Sequence, residues 1–530
     1  MRTLGAIALT AAACLLMAGA ASASTSQQAL IEDDALLATN APETLDAFRT
    51  LGAQVVRENV QWAAIAPAAS ATSPPRGFDP TNPGAYPSGA WAPLDQIVIG
   101  ALARGLTLEL TVGGPAPTWA HGGHSPPGAR GGWKPSAAMY GAFFEAVAKR
   151  YSGSYTPAGS SGPLPRAHMW EIWNEPNFGP QLAPQGTRGS KVLFGAQMYR
   201  GLLDRAWSAL QRTGHGGDTI LIGALAARGV RTGASRHFPQ GLPGNFGMTK
   251  PKQFVRALYC VNNHDRPLRG AQAHANACPT SGGGSHRFRR QHPGLFAASG
   301  VSDHPYPFNK PPTKAGDHDP DFTEFSQLPG FGRELDRIQR AYGSHRSVPL
   351  YITEYGYITR PPDRRRFVSP PTAAVYINWA EYLAYRERRI RTTAQYLLED
   401  PNPFHAPEYG GFASGLEFYG GAAKPSYDAY RLPLFLPVTS ARRGRSLEVW
   451  GCVRPAPYAQ RDTGAAQSVQ IQFASTSSST FATLRTVPLT DPHGYFDVRM
   501  PFTSSGSVRL AWSYPSGTLV YSRVQRVTVK

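Results

Sequence analysis

The sequence predicts a (β/α)8 TIM barrel of the α/β class followed by a small all-β domain. Three observations predict it. Short β-rich apolar runs alternate with longer helical patterns from about residue 28 to residue 430, the order expected of parallel strands joined by helical crossovers. No Gly-x-Gly-x-x-Gly fingerprint follows the first run, so an open dinucleotide-binding sheet has no support. From about Leu436 onward the helical patterns cease and short alternating runs take over, separated by Gly, Ser, Pro and Asp.

Taken in order, the runs expected to be strands are Ala29 to Leu36, Gln54 to Gln61, Leu106 to Gly113, His168 to Asn174, Thr219 to Leu225, Gly300 to His304, Pro349 to Glu354 and Thr393 to Leu398. Each is an apolar stretch of strand length bounded by turn residues or charge. The helices expected between them are Thr44 to Leu51, Leu94 to Arg104, Ser136 to Tyr151, Lys191 to Arg212, Lys252 to Val261, Glu334 to Tyr342 and Thr372 to Arg388. Two connections, 63–93 and 226–298, are far longer than the few residues usual in such units, and long βα loops build the rim of a barrel. Apart from the Ser/Gly-rich insertion around Ser281 to Ser285, no repeat or low-complexity tract stands out. Beyond Leu436, runs at Ser446 to Val453, Ser468 to Phe473, Phe481 to Val487, Tyr495 to Met500, Ser507 to Ser513 and Leu519 to Val529 fit an antiparallel, immunoglobulin-like sandwich.

The 530 residues therefore divide into a leader at 1–23, a barrel at 24–435 and a β-sandwich at 436–530. Arg2, the small apolar stretch Ala6 to Ala20 and Ala21-Ser22-Ala23 together read as an export signal with its cleavage site. Secretion is the expected destination, and no later stretch approaches the length of a membrane span. An oxidising compartment allows Cys260 and Cys278 to pair across a Gly/His/Asn-rich insertion, leaving Cys452 as a buried thiol. The net charge of +18 leans toward an acidic glycan partner. Clusters such as Arg287, Arg289 and Arg290, or Arg364 to Arg366, lack the interleaved aromatics of a nucleic-acid surface and read as solvated faces.

The segment with the most specific chemistry is Trp170-Glu171-Ile172-Trp173-Asn174-Glu175-Pro176-Asn177. It places a carboxyl at the C-terminal end of the fourth strand, the face on which barrels do chemistry. Aromatic neighbours supply the partly desolvated surroundings a general acid requires. Asn177 reads as a cap of the turn after Pro176. A second carboxyl ends the seventh strand in Leu350-Tyr351-Ile352-Thr353-Glu354-Tyr355-Gly356. Strands four and seven lie on opposite sides of an eight-stranded ring, so Glu175 and Glu354 can converge over its axis. Two facing carboxyls catalyse glycosidic cleavage, with retention or inversion set by the gap between them.

These two segments resemble the acid/base and nucleophile motifs of the clan A glycoside hydrolases, particularly families 5 and 39, and the likeness spans about residues 28 to 430. The resemblance implies a retaining enzyme with Glu175 as acid/base, Glu354 as nucleophile and Asn174 contacting the sugar 2-hydroxyl. It further implies that Arg57, at the end of strand two, orients the nucleophile, and that His304 and Tyr306, in Asp303-His304-Pro305-Tyr306, contact sugar and nucleophile. The sequence departs from the family at strand eight, where Tyr396-Leu397-Leu398-Glu399-Asp400 stands in place of a tryptophan platform; Tyr396 or Trp119 is then a candidate for stacking on the sugar.

The expected protein is a secreted, monomeric glycosidase that cleaves O-glycosidic, β-type bonds of a poly- or oligosaccharide by double displacement, with neither cofactor nor metal and no nucleic-acid or membrane partner. The alternative is a carbohydrate-binding or envelope-associated protein whose barrel has lost activity. Asp317, Asp319 and Asp321 alternate like a calcium loop but are interrupted by Pro320 and lack its Gly and Glu. His121 and His124 have no third ligand in view.

Overall fold

The computed structural model describes residues 24, 26–126, 131–186, 192–230, 247–316, 319–403 and 411–530. The expected leader at 1–23 and Asp317 lie outside them. Among the described residues no helix is long and apolar enough to cross a membrane.

Eight parallel strands form the first sheet: β1 (Gln28–Glu32), β2 (Val55–Gln61), β3 (Thr107–Gly113), β4 (Met169–Ile172), β5 (Thr219–Ala226), β6 (Gly300–His304), β7 (Leu350–Ile352) and β8 (Thr392–Tyr396). From β1 to β7 consecutive strands pair, and β1 pairs with β8 in parallel. A parallel bridge between Leu350 and Ile390 joins β7 to the approach to β8 and closes the ring into a barrel. Leu30, Leu108, Leu110, Ile172, Ile222 and Ile352 are among the strand residues fully withdrawn from water. Helices including Asp34–Leu51, Ser88–Ala103, Ala137–Arg150, Phe194–Arg212, Leu328–Ala341 and Pro370–Arg386 follow the strands.

One element boundary differs from expectation for a visible reason. The first strand ends at Glu32 instead of Leu36, because Asp33 caps a helix that begins at Asp34, its carboxylate accepting from the Leu36 amide. The Ser/Gly-rich stretch around Ser281 to Ser285 opens the helix Gly282–Gln291, with the Ser281 hydroxyl accepting from Gly284 N–H as the N-cap. Cys260 and Cys278 are joined by a disulfide in this insertion, and Cys452 is a buried free thiol.

Asp33 also receives the amides of Leu398 and Glu399, which ties the start of the barrel to its last strand. Burial outweighs these hydrogen bonds and pushes the carboxyl up to about 6. A carboxyl raised on folding supports the native state fully below its unfolded value and loses that support as pH rises through the folded one. Asp33→Asn removes the titration. The stability of wild type relative to Asp33→Asn should therefore fall by about 3 kcal/mol between pH 3.5 and 7, which urea unfolding at a series of pH values will read.

The C-terminal domain has two sheets. One contains β10 (Ser440–Ala441), β12 (Ser468–Ser475), β13 (Ala482–Pro488), β15 (Gly506–Ser513), β16 (Leu519–Tyr521) and β17 (Gln525–Val529); the other contains β9 (Leu434–Phe435), β11 (Ser446–Cys452) and β14 (Tyr495–Pro501). Pairing is antiparallel except between β10 and β17. Val449, Val469, Ile471, Val508 and Leu510 fill the space between the sheets. A helix at Ala456–Thr463, not expected from the sequence, is inserted after β11.

This domain docks on the bottom of the barrel, the end where strands begin. Tyr458 donates to Ala53 O just before β2, Tyr514 donates to Thr50 O, and a Cβ on Gly52 would lie 2.2 Å from the Arg454 carbonyl carbon. At the centre of the joint, buried Arg454 meets Glu381 at 2.5 Å, and Tyr495 donates to the other Glu381 oxygen at 2.8 Å. Arg454→Leu strands the Glu381 charge, and we expect a loss of about 3 to 5 kcal/mol, largely recovered in the double variant Glu381→Leu/Arg454→Leu. Chemical unfolding of the four proteins measures this; equal loss in the single and double variants would contradict a stranded charge.

Candidate active site

The ends of the barrel strands opposite the C-terminal domain surround a cavity of about 590 Å³ lined by residues from all sides of the ring, Glu32, Asn59, Thr111, Asn174, Glu175, Ala226, Tyr306, Glu354 and Tyr396 among them. Chain geometry at the end of β4 is forced. Trp173 and Glu175 have φ of 68° and 41°, on either side of Asn174. Left-handed backbone is unfavourable for side chains of this size, and such strain is concentrated at functional sites. The surroundings hold the turn: Trp173 N–H donates to Val112 O and Glu175 N–H to Ala224 O, both at 3.0 Å. Asn177 is fully buried and binds the Ala226 and Thr249 backbone, so it fastens the loop outside the cavity.

Arg57 is the hub. It is fully buried, and its Nη1 donates to Glu32 Oε2 at 2.6 Å and to Glu354 Oε1 at 2.8 Å. Its Nε and Nη2 reach Glu171 Oε2 at 3.0 and 2.9 Å, while Nη2 also donates to Asn174 Oδ1 at 2.9 Å. Glu58 is no partner in this network; it points away from Arg57 by strand alternation, and one of its oxygens has no hydrogen-bond partner. A guanidinium can only donate, so the Asn174 amide must turn its oxygen toward Arg57 and its NH2 group away from it.

One cation among several buried carboxyls cannot keep them all ionised. Burial pushes the Glu171 carboxyl up, but Arg57, His304 and the hydroxyls of Ser302 and Thr111 outweigh it and hold the group below the usual glutamate value. Glu109, whose Oε1 is 3.7 Å from Arg57, is driven well up by burial and by Glu171, and its Oε2 has no partner. Burial likewise raises Glu32 well above the ordinary value, with Arg57 offsetting only part. Arg57 thus favours the charged form of Glu171, while burial favours the neutral form of Glu109 and of Glu32.

Glu354 is fixed at both oxygens, by Arg57 on Oε1 and by the Tyr306 hydroxyl on Oε2 at 3.1 Å. Burial and the adjacent Glu354 push the Tyr306 phenol well up, so it stays a neutral donor. His304, fully buried at the end of β6, puts Nδ1 3.2 Å from Glu175 Oε1 and 3.4 Å from Glu354 Oε1. One ligand atom from each of Glu175, His304 and Glu354 falls within 4.8 Å of the others. These three could chelate a cation, but the Arg57 guanidinium on the same Glu354 oxygen would oppose it. The other metal-like patterns are engaged otherwise: Asp319 pairs with Lys250, Asp321 with Arg256, and His121 bonds Ser125 and Ala116.

Tyr396 lines the cavity and meets Tyr306 and Phe412 edge to face, with ring centroids 6.3 and 5.6 Å away. Trp119, the other stacking candidate, requires correction. It packs against Trp62 and Phe78 in the barrel's outer core and donates to Pro67 O, away from the cavity walls. The structure also adds residues that the sequence did not single out. Glu32 and Asp34 enter from the end of β1, Asn59 from β2, and Phe178, Arg228, Met248, Phe308 and Phe412 from loops. Asn59 could have been noticed, since it lies two residues from Arg57 and so on the same strand face.

No family model matches the sequence, and no curated protein sequence matches it. Solved structures do match. An endo-beta-1,4-mannanase from Thermotoga petrophila is 11% identical, with a TM-score of 0.37, over 96% of this chain and 99% of that one. A family 39 glycoside hydrolase from Bacteroides cellulosilyticus WH2 is 13% identical, with a TM-score of 0.45, over 91% of this chain and 80% of that one. A family 1 beta-glucosidase from Thermotoga maritima is 13% identical, with a TM-score of 0.42, over 74% of this chain and 85% of that one.

Proposed function

We propose that the chain is a glycoside hydrolase that cleaves O-glycosidic bonds, of the β type, in a poly- or oligosaccharide with retention of configuration. The observation that carries this reading is the close approach of Glu175 and Glu354, one carboxylate oxygen of each lying within 4.8 Å of the other. Carboxyls that attack and protonate one sugar directly stand about 5 to 5.5 Å apart, whereas about 6.5 to 9.5 Å is needed to admit the water of an inverting reaction.

In this reading Glu175 protonates the leaving oxygen while Glu354 attacks the anomeric carbon, giving a glycosyl ester. Glu175, now a base, takes a proton from water, which displaces Glu354 and releases the sugar. Arg57 and Tyr306 hold Glu354 in a single orientation for attack. The Asn174 NH2 group is available to the sugar 2-hydroxyl, and Tyr396 supplies aromatic surface where the tryptophan is missing. The leader-like residues 1–23 support an exported protein acting outside the cell.

The test is release of product from aryl β-glycosides and soluble β-linked polysaccharides by the mature protein. Turnover of at least one is expected. Silence across a broad panel would overturn the hydrolase reading in favour of a binding role.

A further inference from the structure

One sheet of the C-terminal domain carries charge of a single sign. Its strands β10, β12, β13, β15, β16 and β17 contain Arg485, Arg509 and Arg526 and no Asp or Glu. Val469, Ile471, Val508 and Leu510 point into the domain core, so by alternation Gln470, Gln472 and Arg509 share the outer face. Ser507 is paired with Arg526, which makes Arg526 and Arg509 diagonal neighbours on that face, their backbones about 7 to 8 Å apart.

Arg509 is held in place without a counter-charge. Its guanidinium carbon lies 4.1 Å from the centre of the Phe481 ring and 3.8 Å from that of Tyr521, which stand on opposite sides of β15 in the sheet. Its Nε donates to Gln472 Oε1 at 2.9 Å, and among the described residues no group accepts from Nη1 or Nη2. The guanidinium also sets the polarity of its neighbours. Since arginine can only donate, Gln472 must turn its amide oxygen toward Arg509. Its NH2 group then donates to Gln470 Oε1 at 3.1 Å, and the Thr483 hydroxyl donates to the same oxygen at 2.9 Å. Both lone pairs of that oxygen are used, and the Gln470 NH2 group is left for a ligand. Along this row the acceptors are consumed within the sheet and the donors remain.

A fixed fork with amide donors beside it fits a planar carboxylate flanked by further oxygen acceptors, the chemistry of a uronic acid residue. The sheet face is continued by Arg526, as a chain of such residues requires. Nucleic acid fits less well, because base stacking needs open ring faces, whereas the sides of Phe481 and Tyr521 that face Arg509 are covered by it. We infer that the outer face of this sheet, centred on Arg509, is a docking site for an acidic, uronate-bearing polysaccharide, separate from the catalytic cavity. The domain sits at the end of the barrel opposite the cavity, so a chain held here leaves the cavity open. A protein that only bound glycans would use the face in the same way.

Calorimetric binding of polygalacturonate to the mature full-length protein tests this without turnover, so its failure and that of the hydrolase reading are distinct. Arg509→Met should weaken binding by about ten- to a hundredfold. Arg509→Lys should recover only part of the loss, because an ammonium group lacks the planar fork. Gln470→Leu keeps the charge and should still weaken binding by about fivefold. Arg526→Gln, an exposed change, should weaken it as well and stands in should Arg509→Met fail to fold. No binding of polygalacturonate, or affinity unchanged in the Arg509 and Arg526 variants, would overturn the docking site. Single-stranded DNA bound as tightly as polygalacturonate, with neither affected by Gln470→Leu, would overturn the uronate assignment and show a surface that reads charge alone.

Discussion

Glu354→Ala should lower turnover of any glycoside the protein cleaves by about ten-thousandfold or more, because no other group can form the glycosyl ester. The loss should hold for good and poor leaving groups alike, since attack precedes or accompanies departure in both. Glu175→Ala should behave differently. With a sugar as leaving group, about a hundred- to ten-thousandfold should be lost; with a dinitrophenolate, which departs unprotonated, the first step should survive and the glycosyl ester should accumulate. Azide should then restore turnover of the Glu175→Ala protein and give a glycosyl azide of retained configuration. Steady-state kinetics on the two leaving groups distinguishes these behaviours, and near-normal turnover by Glu354→Ala would rule out its role as nucleophile.

Arg57→Met should cost both stability and activity. The guanidinium lies within 3.7 Å of four carboxyls, Glu32, Glu109, Glu171 and Glu354. Without it Glu171 keeps His304 nearby and the hydroxyls of Ser302, Thr111 and Thr353, and a charge without its principal partner in a dry interior costs about 3 to 5 kcal/mol. Arg57→Lys should recover part of this, because one ammonium group cannot span the acceptors that the planar fork reaches. The Glu171 carboxyl is held below its usual value in the native protein, so its contribution is present above the unfolded value and lost as pH falls through the folded one. The gap between wild type and Arg57→Met should therefore shrink in acid. Unfolding midpoints at neutral and acid pH measure both effects, and a neutral-pH midpoint unchanged by Arg57→Met would show that Arg57 is not needed to hold these charges.

The barrel was legible because its strands are apolar runs of uniform kind, and Glu175 and Glu354 because each interrupts such a run at its end. Arg57 was placed by the family resemblance and not by its position, since it is the third residue of β2 and not its end, and its partners could not be placed at all, since Glu32, Glu171 and Glu354 come from three other strands. Asp34 was hidden by a boundary. Reading β1 through to Leu36 made Asp33 and Asp34 strand residues, while the capping chemistry of Asp33 ends the strand and turns Asp34 into the cavity. Trp119 follows β3 closely, within reach of the sugar by sequence alone, but which way a loop tryptophan turns depends on Trp62 and Phe78, far away in sequence. The helix Ala456–Thr463 was missed because Pro455 and Pro457 read as turn residues, yet proline suits the first turn of a helix.

The account rests on the gap between two carboxyls, and the stereochemistry of the product tests that gap most directly. Proton NMR of the first sugar released from an aryl β-glycoside, recorded before the anomers equilibrate, should show the β-anomer. Initial release of the α-anomer would mean that water attacks directly, and would contradict the assignment of Glu354 as the nucleophile.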